Sequence, residues 1–349
     1  MPREIKIDNQ IINDDSNCFV IAEIGNNHQG KLENAKKLIT LAKQSGVSAV
    51  KFQKRDNINL FTEEMFNSPY TGAQSFGPTY GEHRMHLELN ENDFKELIQY
   101  SKKEKITFFA TPFDIKSAEF LYKLGTPAFK IASLDLNNLN LLKTVAEFKL
   151  PTIISTGAAT LDQVKRTYEV ISAINNQIAI MQCTSEYPAK AIHINLNVIK
   201  KYREEFPNAV IGYSGHDFGT SIPIAAFSMG ARIIEKHFTN DKTLKGTDHQ
   251  FSLTPNEMTS LVNEIYEVKL SLGDGEKIIY PEEQLSKFKM GKKLVASSTL
   301  NAGHLIKEND ISIKSPGDGM SPFEIDMILG KKIKKRLTKD SSFTIENLE

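Results

Sequence analysis

A chain of 349 residues has room for one large domain and a small one. It is 40% hydrophobic and 25% charged, with 43 Lys and Arg against 43 Asp and Glu. That balance fits a globular protein and argues against nucleic acid as a partner, since polyanion binders carry a basic excess.

No run nears the roughly 18 apolar residues of a membrane span, and "MPREIKIDNQ" at the start has no apolar signal core. The two cysteines, Cys18 and Cys183, are far apart and form no C-x-x-C. Lone thiols suit a reducing compartment, so the expectation is a cytoplasmic protein without a membrane partner.

In chain order, eight short β-rich runs alternate with helix-like segments: "CFVIAEIG", "SAVKFQ", "ITFFAT", "PAFKIAS", "PTIIST", "IAIMQCT", "AVIGYS" and "ARIIEKHF". They do not alternate strictly between apolar and polar, as expected of strands buried on both faces. After the second run, Arg55 to Leu89 reads as a long insertion without regular structure, the kind of stretch that is functional or mobile in a compact domain. From Thr160, apolar residues recur at Leu161, Val164, Tyr168, Ile171 and Ile174, and Thr160 with Gln163 predicts a capping box. The last helix of this series starts with Thr254, Pro255 and Glu257, carries a stripe of Met258, Leu261, Val262, Ile265 and Val268, and stops at Gly273. Eight βα units predict a (β/α)8 TIM barrel over residues 1–273. A doubly wound open sheet is the alternative, weakened by the lack of a G-x-G-x-x-G turn after the first run. Residues 274–290 read as a linker and 291–349 as a small, mostly β domain, in which the segment from Gly291 is echoed by the one from Gly330.

In a barrel the C-terminal strand ends build the active site. Here they deliver Glu23, then Lys51 and Gln53, Thr111, Lys130 and Ser133, Ser155, Ser185 and Tyr187, Ser214 and His216, and finally Glu235 and His237. Two lysines among hydroxyls suit a phosphorylated ligand. Two imidazoles on adjacent strands suit a divalent metal with open positions. Taken singly, Lys51 reads equally well as a structural lysine, and either histidine as a polar turn residue. His249 is a further ligand candidate, and Cys183 reads as a packed thiol rather than a nucleophile. The basic run "KKIKKR" at 331–336 reads as a solvated face.

The motifs "FVIAEIGNNHQG", "VKFQK", "TYGEHR", "QCTSEYP", "GYSGHDFG" and "EKHFTNDKTLKGTDHQFSL" resemble the sialic acid synthase family, from about Phe19 to the C-terminus. Their wording is most similar to its N-acetylneuraminate-9-phosphate branch. The resemblance implies a barrel followed by an antifreeze-like SAF domain, and a domain-swapped homodimer. It implies a transferase that condenses phosphoenolpyruvate with an N-acylmannosamine, or its 6-phosphate, to a nine-carbon 2-keto sugar acid plus phosphate. Carried over by position, His216 and His237 would hold Mn2+ and serve catalysis. Lys51, Gln53, Thr111, Lys130, Ser133 and Ser155 would hold phosphoenolpyruvate, with Ser214 as a further substrate hydroxyl. Ser185 stands where many bacterial members have Asn. Glu23, Tyr187 and Asp248 would meet the sugar, and Glu23 would manage the proton of the intermediate. One departure is "KSPGDG": Ser315 stands where many bacterial members place an Arg that reaches the sugar. Arg84, His83, Lys242 and Lys245 are candidates to supply charge for a sugar 6-phosphate. Synthases of legionaminate, pseudaminate or KDN remain alternatives, as does a metal-dependent pyruvate aldolase, which would need no phosphate cradle.

Overall fold

A computed structural model describes residues 3–349, which fall into two compact units divided between Gly273 and Asp274. The first opens with an antiparallel hairpin of β1 (Glu4–Ile7) and β2 (Gln10–Asn13). Eight parallel strands then close a barrel: β3 (Phe19–Gly25), β4 (Ala49–Lys54), β5 (Thr107–Pro112), β6 (Phe129–Ile131), β7 (Thr152–Ser155), β8 (Ile178–Cys183), β9 (Val210–Gly215) and β10 (Ile233–His237). They pair in sequence order, and β10 pairs with β3 to complete the ring. The TIM barrel expected from the alternating pattern is therefore present.

The strands are buried on both faces, which explains their missing alternation. Outward residues such as Val20, Val50, Phe108, Ile180, Ile211 and Ile234 pack under the helices in one large core. Inward residues are apolar at the N-terminal end, where Phe19, Ile21, Ala49, Phe109, Ile153, Met181 and Ile233 form a second core. The hairpin's Ile5, Ile7 and Ile12 join that second core and plug this end. The hairpin went unforeseen in the sequence. Inward positions nearer the C-terminal end switch to Glu23, Lys51, Lys130, Ser155, Ser214 and Glu235, all buried.

Helix ends follow local chemistry. Gln163 Oε1 accepts from the Thr160 amide at 2.8 Å ahead of the helix Leu161–Ser172. Glu257 Oε2 accepts from the Thr254 amide at 2.8 Å ahead of Pro255–Leu272, which ends at Gly273 with φ of 60°. The insertion after β4 departs from expectation. It is ordered into three short helices, Asn57–Leu60, Glu63–Asn67 and Tyr80–Leu87, the last two capped by Thr62 and Thr79. Aromatic packing organises it: Tyr80 meets Phe61 at 5.1 Å and Tyr70 at 5.5 Å, and Tyr70 meets His83 at 4.6 Å.

The second unit contains the helix Gln284–Met290 and an antiparallel pair, β11 (Lys293–Ala296) with β12 (Ile311–Lys314). Its two echoing segments bridge to each other at Leu300–Leu337 and Leu305–Lys332. It has its own core, including Leu294, Leu300, Ile306, Ile328, Ile333 and Phe343. Among the described residues no helix is long and apolar enough to cross a membrane.

Candidate active site

A cavity of about 430 Å3 opens at the C-terminal strand ends of the barrel. Glu23, Lys51, Gln53, Thr111, Lys130, Ser133, Ser155, Ser185, Tyr187, Ser214, His216, His237 and Asp248 all line it. Arg55, Tyr70, Phe76, His83 and Arg84 from the segment after β4 line it too. Of the lesser candidates, Lys242 is paired with Glu257 at 2.6 Å, and His249 bonds Thr239 Oγ1 at 2.7 Å; neither lines the cavity.

Its floor is a buried charge network. Lys51 Nζ reaches Thr111 Oγ1 at 3.0 Å and lies 2.7 Å from Glu23 Oε2, an ion contact without hydrogen-bond alignment. Lys130 Nζ and Ser214 Oγ both donate to Glu235 Oε1, at 3.3 and 3.2 Å, and Lys51 stands 3.6 Å from the same oxygen. Gln53 Nε2 donates to Glu23 Oε1 at 2.7 Å.

The two carboxylates titrate apart. Burial, then the charge of Glu235, raises the Glu23 pKa more than Lys51 lowers it. Burial works the same way on Glu235, yet Lys130 and Lys51 together overcome it and hold that carboxyl at about 2. Glu235 is thus the standing anion, and Glu23 is the carboxyl closer to carrying a proton. Burial lowers Lys130 more than Glu235 restores it, whereas Glu23 and Glu235 outweigh burial at Lys51 and raise it.

Beside this floor is a cradle of hydroxyls. The Gly157 amide donates to Ser133 Oγ at 2.9 Å, while the buried Ser155 and Ser185 hydroxyls have no partner. A Cβ at Gly157 would sit 2.2 Å from Ser185 Oγ, so only glycine leaves this cradle open. Buried unpaired hydroxyls next to ammonium groups await a ligand's oxygens.

The two imidazoles face each other, with ring centroids 5.4 Å apart. His216 Nδ1 donates to the Thr184 carbonyl at 2.8 Å, which leaves its Nε2 lone pair free. His237 Nδ1 is buried without a hydrogen-bond partner, and Asp248 Oδ2 is 3.8 Å away. Burial brings the His237 pKa down to about 4, so the ring is neutral at neutral pH, as a metal ligand must be. Among the described residues no three His, Cys, Asp or Glu side chains gather into a group that could hold a metal ion. Two imidazoles with free lone pairs nevertheless fit a divalent cation that takes its other ligands from water and substrate. The Tyr187 ring is tilted against that of His216, with centroids 4.1 Å apart.

The sequence of the NeuB family matches residues 38–277, and that of the SAF domain matches residues 293–349. The chain belongs to the NeuB family. This NeuB chain is 38% identical over 330 residues to the N-acetylneuraminate-9-phosphate synthase of Homo sapiens, covering 94% of this chain and 92% of the relative. It is 36% identical over 328 residues to the N,N'-diacetyllegionaminic acid synthase of Campylobacter jejuni, covering 92% of this chain and 97% of the relative. Its fold is similar to the crystal structure of the N-acetylneuraminic acid synthetase of Leptospira borgpetersenii in complex with citrate. That match has a TM-score of 0.73 and 32% identity, and covers 82% of this chain and 95% of that one.

Strand-end reading of this NeuB sequence placed Glu235 beside His237 at the last strand end but gave it no role, and it left Arg55 and Gly157 out. Arg55 and Gly157 carry no local signal, because their roles depend on neighbours from other elements.

Proposed function

We propose that this chain is a transferase that joins phosphoenolpyruvate to an N-acylmannosamine-type aldehyde, forming a nine-carbon 2-keto sugar acid and inorganic phosphate. The observation that carries the reading is the meeting of Lys51, Lys130, two unpartnered serine hydroxyls and two imidazoles in one cavity. The printed names of the human and Campylobacter relatives support the nonulosonate class and differ in the sugar acid made. A legionaminate-type or related acid is therefore the second reading.

In this account the two ammonium groups neutralise the phosphoenolpyruvate anion, and Gln53, Thr111, Ser133, Ser155, Ser185 and Ser214 fix its oxygens. Tyr187 and Asp248 face the sugar. His216 and His237 would hold a divalent metal, Mn2+ on the family resemblance, and that metal would draw electron density from the aldehyde oxygen. Holding C3 of the enol against the aldehyde carbon supplies up to about 7–11 kcal/mol. The new C–C bond leaves C2 electron-poor, water adds there, and the tetrahedral carbon expels phosphate by C–O cleavage. Glu23, with its raised pKa, is the group placed to hold and move the proton in that step. The domain-swapped homodimer and a cytoplasmic location belong to the same proposal.

Incubation of the purified protein with phosphoenolpyruvate, Mn2+ and a panel of hexosamines tests the reading. Phosphate should appear in step with sugar consumption. A keto acid formed when pyruvate replaces phosphoenolpyruvate in a parallel incubation, with no phosphate released in either, would replace it with an aldolase.

A further inference from the structure

Gln53 enters the cavity with two ends of opposite chemistry, and the group that sorts them has no part in the reaction above. A primary amide is nearly symmetrical in shape, so its oxygen and nitrogen are placed by their hydrogen-bond partners. Gln53 Nε2 donates to Glu23 Oε1 at 2.7 Å. Its Oε1 accepts from Arg55 Nη2, and Asn26 Nδ2 approaches the same oxygen at 3.5 Å, beyond the usual length of a hydrogen bond. Turned over, the amide would put its oxygen against the Glu23 carboxyl and its NH2 against the guanidinium. The charge-assisted bond from Arg55 opposes that turn far more than the long Asn26 contact does.

Arg55 is itself held in place. It is 8% exposed, and its guanidinium carbon lies 3.7 Å from the centre of the Phe113 ring. Its backbone amide donates to Glu88 Oε1 at 3.1 Å, and that carboxylate also accepts from Lys54 Nζ at 2.6 Å. Among the described residues no carboxylate pairs with the guanidinium, so the Gln53 oxygen is an acceptor it cannot lose without cost. Burial and then the charge of Arg84 bring the Arg55 pKa down to about 10, which leaves it a cation at neutral pH. The far side of the Glu23–Gln53 pair is closed by backbone. Gly25 has φ of 52°, and a Cβ there would lie 3.1 Å from Glu23 Oε1 and 3.2 Å from Gln53 Nε2.

Resting on the reaction proposed above, we propose that Arg55 is a positioning residue, which locks the Gln53 amide so that one N–H holds Glu23 and the other faces phosphoenolpyruvate. Arg55 acts through that amide and touches neither reactant. Without it the amide turns, its oxygen faces the phosphoenolpyruvate anion, and Glu23 loses its donor in the same movement.

Steady-state phosphate release by the full chain tests this, for wild type, Arg55→Met, Arg55→Lys, Gln53→Met and the double variant Gln53→Met with Arg55→Met. Met fills the space over Phe113 without a donor, and Lys restores one donor. Arg55→Met should lose about 10–100-fold in kcat/KM for phosphoenolpyruvate, the scale of a hydrogen bond to a charged group. The loss should fall on both kcat and the phosphoenolpyruvate KM, with the sugar KM within about threefold of wild type. Arg55→Lys should recover most of it. The double variant should stay within about threefold of Gln53→Met alone, since one amide carries both effects. If Met at position 55 disturbs folding, Arg55→Gln takes its place in the cycle. Losses that multiply in the double variant, an Arg55→Lys as poor as Arg55→Met, or a change confined to the sugar KM overturns the assignment while leaving the reaction intact. If the wild type itself releases no phosphate, the reaction fails, and the urea midpoints of the same proteins decide. A double variant no less stable than Gln53→Met sustains the coupling of Arg55 to this amide, and additive shifts overturn it.

Discussion

Glu23 and Glu235 flank one lysine on neighbouring strands, yet they carry opposite duties. Lys130 and Ser214 fasten Glu235 as an anion, while burial and that anion push the Glu23 carboxyl toward its protonated form. Glu23→Gln keeps the shape and the bond to Gln53 but removes the exchangeable proton. Turnover should fall by about 10²-fold or more with substrate KM little changed; a rate within a few-fold of wild type would take Glu23 out of the proton path. Gly157→Ala should leave circular dichroism unchanged and raise KM for phosphoenolpyruvate by at least about tenfold, because its methyl group would occupy the space beside Ser185. An unaltered KM would move the phosphoenolpyruvate cradle elsewhere. Much of this chemistry could be read from sequence, since Lys51 and Gln53, or Ser214 and His216, sit two apart at the polar end of an apolar run. The need for glycine at position 157 could not, because Ser133 and Ser185 reach it from other strands.

At the scale of elements, β9 and β10 set the spacing of the two imidazoles. Asp217 and Lys236, each adjacent in sequence to one of them, form a buried ion pair with Lys236 Nζ 3.1 Å from Asp217 Oδ2. Tyr213 Oη adds a hydrogen bond to Asp217 Oδ1 at 2.5 Å. Lys236→Met strands a buried carboxylate and should cost about 3–5 kcal/mol in urea denaturation, part of which Asp217→Asn in the same chain should restore. A loss below about 1 kcal/mol would show that the pair does not tie these strand ends together. The run "ARIIEKHF" shows a lysine between two inward residues, but nothing local says that Asp217 waits just past the end of β9. The segment 55–89 was illegible for a related reason. Its helices are too short for a periodic signal, and the contacts that order them join Phe61, Tyr70, Tyr80 and His83 across the segment.

At the scale of the whole molecule, the barrel supplies every residue of the cavity, and the second unit has a small core of its own. The homodimer in the proposal predicts a solution mass near twice the 39.2 kDa of one chain in light scattering. A mass of one chain at micromolar concentration would contradict it. Removing metal with a chelator should abolish turnover, and Mn2+ should restore it. His216→Ala should prevent that recovery without unfolding the barrel, and a full rate in chelator would remove the metal from the account.

The most direct test uses phosphoenolpyruvate carrying 18O in the oxygen that bridges C2 and phosphorus, supplied with the amino sugar and Mn2+. Addition of water at C2 followed by C–O cleavage predicts the label in the released phosphate and an unlabelled nine-carbon keto acid of matching amount. Label retained in a keto acid, or phosphoenolpyruvate left intact beside the sugar, would contradict the reaction assigned to this cavity.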